Sequence, residues 1–333
     1  MKELLKTLVE IPAPSGYESQ VRNQIREWIE PLVDEIRVDP LGNLVAVRKQ
    51  ADAPRLMLVA HMDEIGLMVT HVDQQGFARF VALGGVMPIH CVGGRVRFLN
   101  GVQGVIGVEK NPTSSEIPPL EKMFIDVGAS SAEDCPIHIG DVAVFDRSFV
   151  DLGKRVVSKA MDDRVGVAVL IEALRRIEKS VFEIYFVFSV QEEVGVRGAT
   201  VAAFGVEPDL GLAIDVTATG DTPKGHRMEV RLGKGPAIKI RDAGMLADPR
   251  LIQWMVQTAE KARIPYQREI LEFGGTDARA IQLSRSGVPA GVLSIPCRYV
   301  HAPSEMVDME DVENAVKLLI NLLQTAPRLE QPN

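Results

Sequence analysis

The sequence predicts an α/β protein, a mixed central sheet flanked by helices, with a β-rich domain inserted into it. Three observations lead there. Short, nearly continuous apolar runs at residues 55–60, 182–190 and 210–216 read as strands buried on both faces. Amphipathic stretches of helical length alternate with the later runs, the pattern that builds a sheet layered with helices. From about residue 66 to 154 that alternation stops. Short runs rich in Val, Phe, Ile and Gly, broken by turns, take over, as in a small all-β domain.

Taken in order, Leu4, Leu5, Leu8 and Val9 share one helical face, and Pro12 and Pro14 stop that helix. Ser15 and Glu18 have capping-box spacing, which predicts a second helix starting there and running to about Glu30. Residues 39–43, DPLGN, read as a turn between strands. The apolar run at 55–60 ends at His61. The inserted segment carries the runs ARFVAL, GRVRF, GVIGV, MFIDVG and DVAVF. Beyond it, Val165, Val169, Leu170, Ala173, Leu174 and Ile177 mark a helix over 162–179, followed by the strands at 182–190 and 210–216. Asp248-Pro249 is an N-cap and first-turn pair for a helix to about Arg263. Residues 287–296 read as a strand, and 308–325 as a last helix with Val312, Val316, Leu319, Ile320 and Leu323 inward. The tail after Pro327 reads as frayed, and no internal repeat is evident.

At 333 residues the chain is long enough for one large domain or two. The expected division is a main domain of residues 1–66 plus 155–333 and an insertion of 67–154. The balance of 37 Lys+Arg against 45 Asp+Glu gives a net charge of −8, with no basic cluster, which argues against nucleic acid as a partner. Cys91, Cys135 and Cys297 are far apart and form no CxxC pair, so neither a disulfide framework nor a thiolate metal site is expected. The first helix lacks the apolar core of a signal peptide, and no apolar run reaches the ~20 residues that span a bilayer. A cytoplasmic protein with no membrane partner is the expectation.

Five short segments concentrate metal-ligand residue types: AHMDEIG (60–66), KAMDDR (159–164), QEEVG (191–195), AIDVT (213–217) and RYVHAP (298–303). Four lie at the carboxyl end of an expected buried strand, where open α/β sheets bind ligands. The fifth places Asp162 at a helix start, where the dipole favours a carboxylate. Histidines and carboxylates without a thiolate suit Zn, Co or Mn in a hydrolytic site. Two histidines with several carboxylates exceed the needs of one catalytic zinc. A pair of ions needs a bridging carboxylate, and an uncoordinated carboxylate beside their water can act as general base.

With all five segments present in order, the chain resembles the M42-family metallo-aminopeptidases, the group of the TET and glutamyl aminopeptidase-like enzymes. The resemblance covers nearly the whole sequence. It implies two divalent metal ions, zinc first with cobalt or manganese as alternatives, and a peptide substrate with a free N-terminus. His61 and Asp215 would be terminal ligands of one ion, Glu193 and His301 of the other, and Asp162 would bridge them. Glu192 would be the general base for a metal-bound hydroxide, and Asp63 would orient His61. The resemblance also implies a cis peptide between Asp162 and Asp163. The insertion would be a PDZ-like or barrel-like dimerisation domain, with dimers assembling into a dodecamer.

FGGTDAR (273–279) matches a family element in which Gly275, Thr276 and Asp277 would meet the substrate. Gly274 and Gly275 permit close backbone approach, and Asp277 could equally cap the following helix. His71, His90, His138 and His226 have no ligand-like company and read as structural or surface residues. Cys297 reads as core, Asp141 and Asp151 as turn residues, and Asp221 as either a turn residue or a support of the site. Met161, Ala302 and Cys297 depart from the family's commoner Leu, Ser and Thr and leave the ligand set intact. Rival readings are a related metal-dependent carboxypeptidase or deacylase and a non-catalytic metal-stabilised assembly protein. Some relatives carry an endoglucanase label, a chemistry that normally uses two carboxylates and no metal.

Overall fold

The computed structural model describes residues 1–109 and 117–328, and the tail after Pro327 lies outside them apart from Arg328. The chain opens with α1 (Lys2–Glu10) and α2 (Ser19–Ile29), then β1 (Glu35–Val38), β2 (Leu44–Arg48) and β3 (Arg55–His61). Six strands follow: β4 (Gly66–Val72), β5 (Ala78–Leu83), β6 (Arg95–Phe98), β7 (Gln103–Val108), β8 (Met123–Asp126) and β9 (Val142–Phe145). Next come β10 (Val150–Asp151), β11 (Arg155–Ser158), α3 (Met161–Arg176), β12 (Glu183–Ser189), α4 (Arg197–Val206) and β13 (Leu210–Thr217). The chain continues through β14 (Ala237–Arg241), α5 (Pro249–Ala262), β15 (Gln267–Ile270), α6 (Ala278–Gln282), β16 (Ala290–Arg298), β17 (Glu305–Asp308) and α7 (Met309–Leu323).

The main sheet runs β1-β2-β12-β3-β13-β16-β17-β11-β10, with β14 on β16 and β15 on β14. Its centre, β12-β3-β13-β16, is parallel, and its flanks are antiparallel apart from the parallel β14–β15 pair. Period-two alternation splits the strands between two helix layers. Leu56 and Leu58 of β3 join the core under α1, α2, α3, α5 and α7, while Met57 and Val59 join the one under α4 and α6. Within α3 nearly every residue is buried, because it is wedged between the sheet, α1 and α7.

The sheet, the helix layers and the β insertion match the sequence expectation. The insertion is a closed barrel in the order β4-β5-β8-β7-β6-β9, with its own core of Leu67, Phe80, Phe98, Ile125 and Phe145. Its strands end at Phe145, and β11, which starts at Arg155, pairs with β17 of the main sheet and with β10. The DPLGN turn forms as read, with Asp39 Oδ1 accepting the amides of Leu41, Gly42 and Asn43. Asp248 caps α5 by accepting the Arg250 amide.

The start of α2 differs from the capping-box reading. The helix begins at Ser19, and neither Ser15 nor Glu18 caps it through its side chain. Ser15 Oγ donates to Asp63, and Glu18 Oε1 accepts the amides of Gly16 and Gln191. The spacing was right for a cap, but both side chains serve a loop far along the chain. Helix α4 had no sequence signal, because RGATVAAFGV mixes glycines with β-branched residues of low helix propensity. Packing on β12 and α6 holds it, and Gly198 is required there: a Cβ would lie 2.3 Å from Val190 O.

Beneath the sheet's carboxyl edge, Lys159 Nζ donates to both oxygens of Glu64 at 2.8 Å, with both side chains buried. Arg164 is also fully buried and donates to the carbonyls of Met62, Leu8 and Ile11, tying α1 to the strand end. Without Lys159, buried Glu64 keeps only the Ala13 amide and Arg164, 3.6 Å away, against its charge, and breaking a buried pair is strongly destabilising. Lys159→Met is therefore expected to lower the unfolding free energy by ~3–5 kcal/mol. The check is a reduced denaturant midpoint at constant m-value; an unchanged midpoint would show that Glu64 does not depend on this partner.

Candidate metal centre

Register sets the first two candidate ligands side by side. In the parallel β3–β13 pair Ala213 lies opposite Val59, so two residues on Asp215 comes beside His61, on the same face. On the other side His61 pairs with Ser189, the last residue of β12. The chain then turns through Gln191, whose φ is 56°, and brings Glu192 and Glu193 back over the strand end. His301 follows β16 with φ 64°, and Asp162 opens α3, joined to Asp163 by the expected cis peptide.

These side chains converge into two candidate triads, His61–Asp162–Asp215 and Asp162–Glu193–His301, each with donor atoms within 4.8 Å of one another. Asp162 belongs to both. Its Oδ1 lies 3.0 Å from His61 Nε2 and its Oδ2 3.3 Å from His301 Nε2. Glu193 Oε2 is 3.1 Å from His301 Nε2, while its buried Oε1 has no hydrogen-bond partner. Glu192 joins neither triad, and its Oε2 lies 4.0 Å from His61 Nε2.

Charge in this cluster is strongly unbalanced. Burial pushes Glu192, Asp215 and Asp163 well above the usual carboxylate range, and neighbouring carboxylates add to the shift. Burial opposes protonation of the histidines, yet bonds to Asp162 and other carboxylates outweigh it. His61 is raised well above its ordinary value, and His301 is raised to about 12. Imidazole nitrogens and carboxylate oxygens, one oxygen orphaned, fit divalent transition metals.

A surrounding layer orients the cluster. His61 Nδ1 faces the Asp63 carbonyl at 3.1 Å and its Oδ1 at 3.5 Å. The Asp63 carboxylate also accepts the amides of Glu192 and Glu193, at 3.0 and 3.2 Å, and the Ser15 hydroxyl. Burial would raise this carboxyl, but those bonds and His61 hold it below the usual range. Glu305 was not singled out in the sequence. Its Oε2 accepts the Asp162 amide at 3.0 Å and its Oε1 the His301 amide at 2.7 Å. Nothing local in the sequence marks it, since a lone Glu is normally exposed.

A cavity of about 860 Å³ opens over the cluster. Gly274 and Gly275 line it, as do Lys239, Arg279 and Arg298. Thr276 and Asp277 are buried behind that wall rather than on it. Asp277 accepts the Ser189 hydroxyl and makes no side-chain capping bond to α6. Burial pushes Asp277 up to about 6 against the pull of His61 and Ser189. His90 and His226 do line the cavity, unlike the surface or structural role read for them, and His226 packs against Phe273 with centroids 4.9 Å apart and the rings tilted by 48°. Cys297 is buried as expected and reaches the wall. Asp221 supports the wall by pairing with Arg298. Asp141 and Asp151 accept loop amides within their own turns.

A layered α/β sheet with this His/carboxylate cluster at its carboxyl edge has the donor set of a metal centre, and the chain's similarity to known proteins defines the class as a peptide hydrolase. The chain belongs to the M42 glutamyl aminopeptidase family, whose model matches residues 42–318. It is 49% identical to a putative aminopeptidase of Acetivibrio thermocellus over 97% of this chain and 98% of the relative. An aminopeptidase from the archaeon Desulfurococcus kamchatkensis superposes with a TM-score of 0.94 at 44% identity, covering 98% of this chain and 94% of that one. The Pyrococcus horikoshii TET1 peptidase, described as assembling into a tetrahedron or a large octahedral shell, superposes at 0.88 with 34% identity over 98% and 99%.

The barrel reaches into this site through Gly84 and Gly85. A Cβ at position 85 would lie 2.2 Å from His301 Nδ1. Gly85→Ala must displace the imidazole, and a shift near 1 Å at a catalytic group can cost ~10²-fold. The expected outcome is a loss of that order in kcat/KM with unchanged thermal stability; full activity would mean that the loop yields instead.

Proposed function

We propose that this aminopeptidase uses two divalent ions to hydrolyse N-terminal residues from peptides, with Glu192 as general base. One observation carries the reading: two ligand triads share Asp162, and Glu192 stands beside them outside both. His61 and Asp215 would hold one ion, Glu193 and His301 the other, with Asp162 between them. Zinc is the first choice, and cobalt or manganese suit the same ligands. Bound ions supply Lewis acidity that polarises a peptide carbonyl and makes water a nucleophile near neutral pH.

This chain's residues do the rest. Glu192 takes the proton of the attacking water and delivers it to the leaving amine. Asp63 fixes the Glu192–Glu193 amides and the His61 ring, so base and ligands keep their spacing. Gly275, on the wall, would let the substrate backbone approach, with Thr276 and Asp277 fixing that segment from behind.

Glu192→Gln is expected to keep its metal in elemental analysis while losing ~10²–10⁴-fold in turnover of aminoacyl-nitroanilides. Near-normal rates would remove Glu192 from the role of base. Chelation should abolish turnover and added zinc or cobalt restore it, and N-acetylated substrates should stay intact. Activity unaffected by chelation would refute the metal mechanism.

The main domain would be residues 1–66 plus 155–333, and the inserted barrel would serve dimerisation. The assembly described for the Pyrococcus horikoshii TET1 peptidase supports a homo-oligomer here, with a dimer as unit and a dodecamer as the expected assembly. No helix among the described residues is long and apolar enough to cross a membrane, which accords with the proposed cytoplasmic location. Light scattering should give a mass of several chains; a monomer at micromolar concentration would refute the assembly.

A further inference from the structure

The ligands of the two candidate triads are not equally well held. His61 and Asp215 lie on paired strands, where register sets their positions. Asp162 opens α3, and its neighbour Asp163 accepts the His61 amide, which ties that segment to β3. Glu193 sits in a turn whose amides are fixed by Asp63. His301 has no such support. It lies in the turn between β16 and β17, and its side chain is 33% exposed, against 2% for that of His61. Tyr299 and His301 both have φ of 64°, a conformation that non-glycine residues rarely adopt. Such backbone persists only where its surroundings enforce it.

Glu305 supplies the enforcement. It is the first residue of β17, and register places it opposite Ser158 of β11, just ahead of the segment that leads to Asp162. One carboxylate therefore reaches both segments. Oε1 accepts the His301 amide at 2.7 Å, and Oε2 accepts the Asp162 amide at 3.0 Å. Within the turn, the Ala302 amide donates to the Tyr299 carbonyl. Glu305 is 2% exposed and forms no ion pair with a Lys, Arg or His among the described residues. A buried carboxylate without a counter-charge is costly, so a neutral residue would suit a purely structural place better.

Resting on the two-ion reading above, we propose that Glu305 is a positioning residue for one ion of the pair. It holds the backbone of the shared ligand Asp162 and of the terminal ligand His301 at a fixed spacing, and so makes the Asp162–Glu193–His301 site tight. The His61–Asp162–Asp215 site is left largely to the sheet. The ligand is a divalent transition ion held by imidazole and carboxylate.

Glu305→Gln keeps the shape but turns one acceptor into a donor facing an amide N–H. The test is a calorimetric titration of metal-free protein with zinc. The wild type should take up two ions. Glu305→Gln should bind one as tightly and the other ~10–100-fold more weakly, the usual effect of losing a group that orients a ligand. Glu305→Asp, with both acceptors on a shorter arm, should fall between the two, and it takes the place of Glu305→Gln if that variant does not fold. The weakened site should be the one that His301→Ala removes. Adding Glu305→Gln to His301→Ala should therefore change the affinity for the remaining ion by no more than about twofold. At limiting zinc, kcat on aminoacyl-nitroanilides should fall in Glu305→Gln with KM little changed, and added zinc should restore it. Two ions bound as tightly as in the wild type, or both weakened alike, would overturn the assignment and leave the two-ion reading standing. A wild type that binds a single ion would overturn the two-ion reading, and the role of Glu305 with it.

Discussion

The burial of many carboxylates within one small volume is the constraint to which the rest of the structure answers. Asp63, Asp162, Asp163, Asp215 and Asp277 are all buried at the carboxyl edge of a sheet made of apolar strands. Left bare, such groups would repel one another and lose their hydration. Each is instead given donors. Asp63 takes two amides and a hydroxyl; Asp163 takes the amides of His61 and Gly166; Asp277 takes the Ser189 hydroxyl. Asp162 takes two imidazoles, and Glu305 ties the amide of Asp162 to that of His301. The excess negative charge that remains is what a cation would offset.

That constraint explains why elements remote from the chemistry are tied into it. The segment ahead of α2 gives Ser15 to Asp63 and Glu18 to the Gln191 amide. Asn43, at the end of the DPLGN turn, accepts the Val190 amide and donates to the Gly198 carbonyl, fixing both ends of the Glu192–Glu193 turn. Arg164 gathers the carbonyls of α1 and of Met62. The mixed sheet supplies an edge, and these contacts convert the edge into a rigid rim. A rigid rim matters because ligand geometry must hold to a fraction of an ångström.

How much of this is legible in sequence depends on whether a residue's partner is local. His61, Asp215 and the Glu192–Glu193 pair each follow an apolar strand, so periodicity alone puts them at one sheet edge. Their convergence with Asp162 and His301 then follows from parallel pairing of β12, β3, β13 and β16. Ser15 and Glu18 misled because three-residue spacing is also a helix-start signal, while their partners lie 48 and 173 positions away. Glu305 left no trace, since an isolated charge gives no hint of burial; Glu64 and Lys159 lie inside the quoted segments, but their pairing spans 95 positions and nothing local marks it. Helix α4 was invisible for the opposite reason: its glycine is required by close packing on Val190 and reads locally as a helix breaker.

The place of the barrel in the chain adds a last consequence. The chain leaves the main sheet just after His61 and returns to it just before Asp162, so the insertion separates two candidate ligands of one triad. In sequence it stands as an insertion between two halves of a domain, expected to serve dimerisation. The geometry adds another role. Gly84 lies against Glu193 and Gly85 against His301, while Met87 and His90 form part of the cavity wall. Shortening the insertion to a simple loop would leave β3 and α3 connected and the sheet order intact. It would also strip one side of the cavity and let water reach Glu193, whose side chain is only 3% exposed. The barrel is therefore part of the walls that shape the site, whatever surface it offers to another copy.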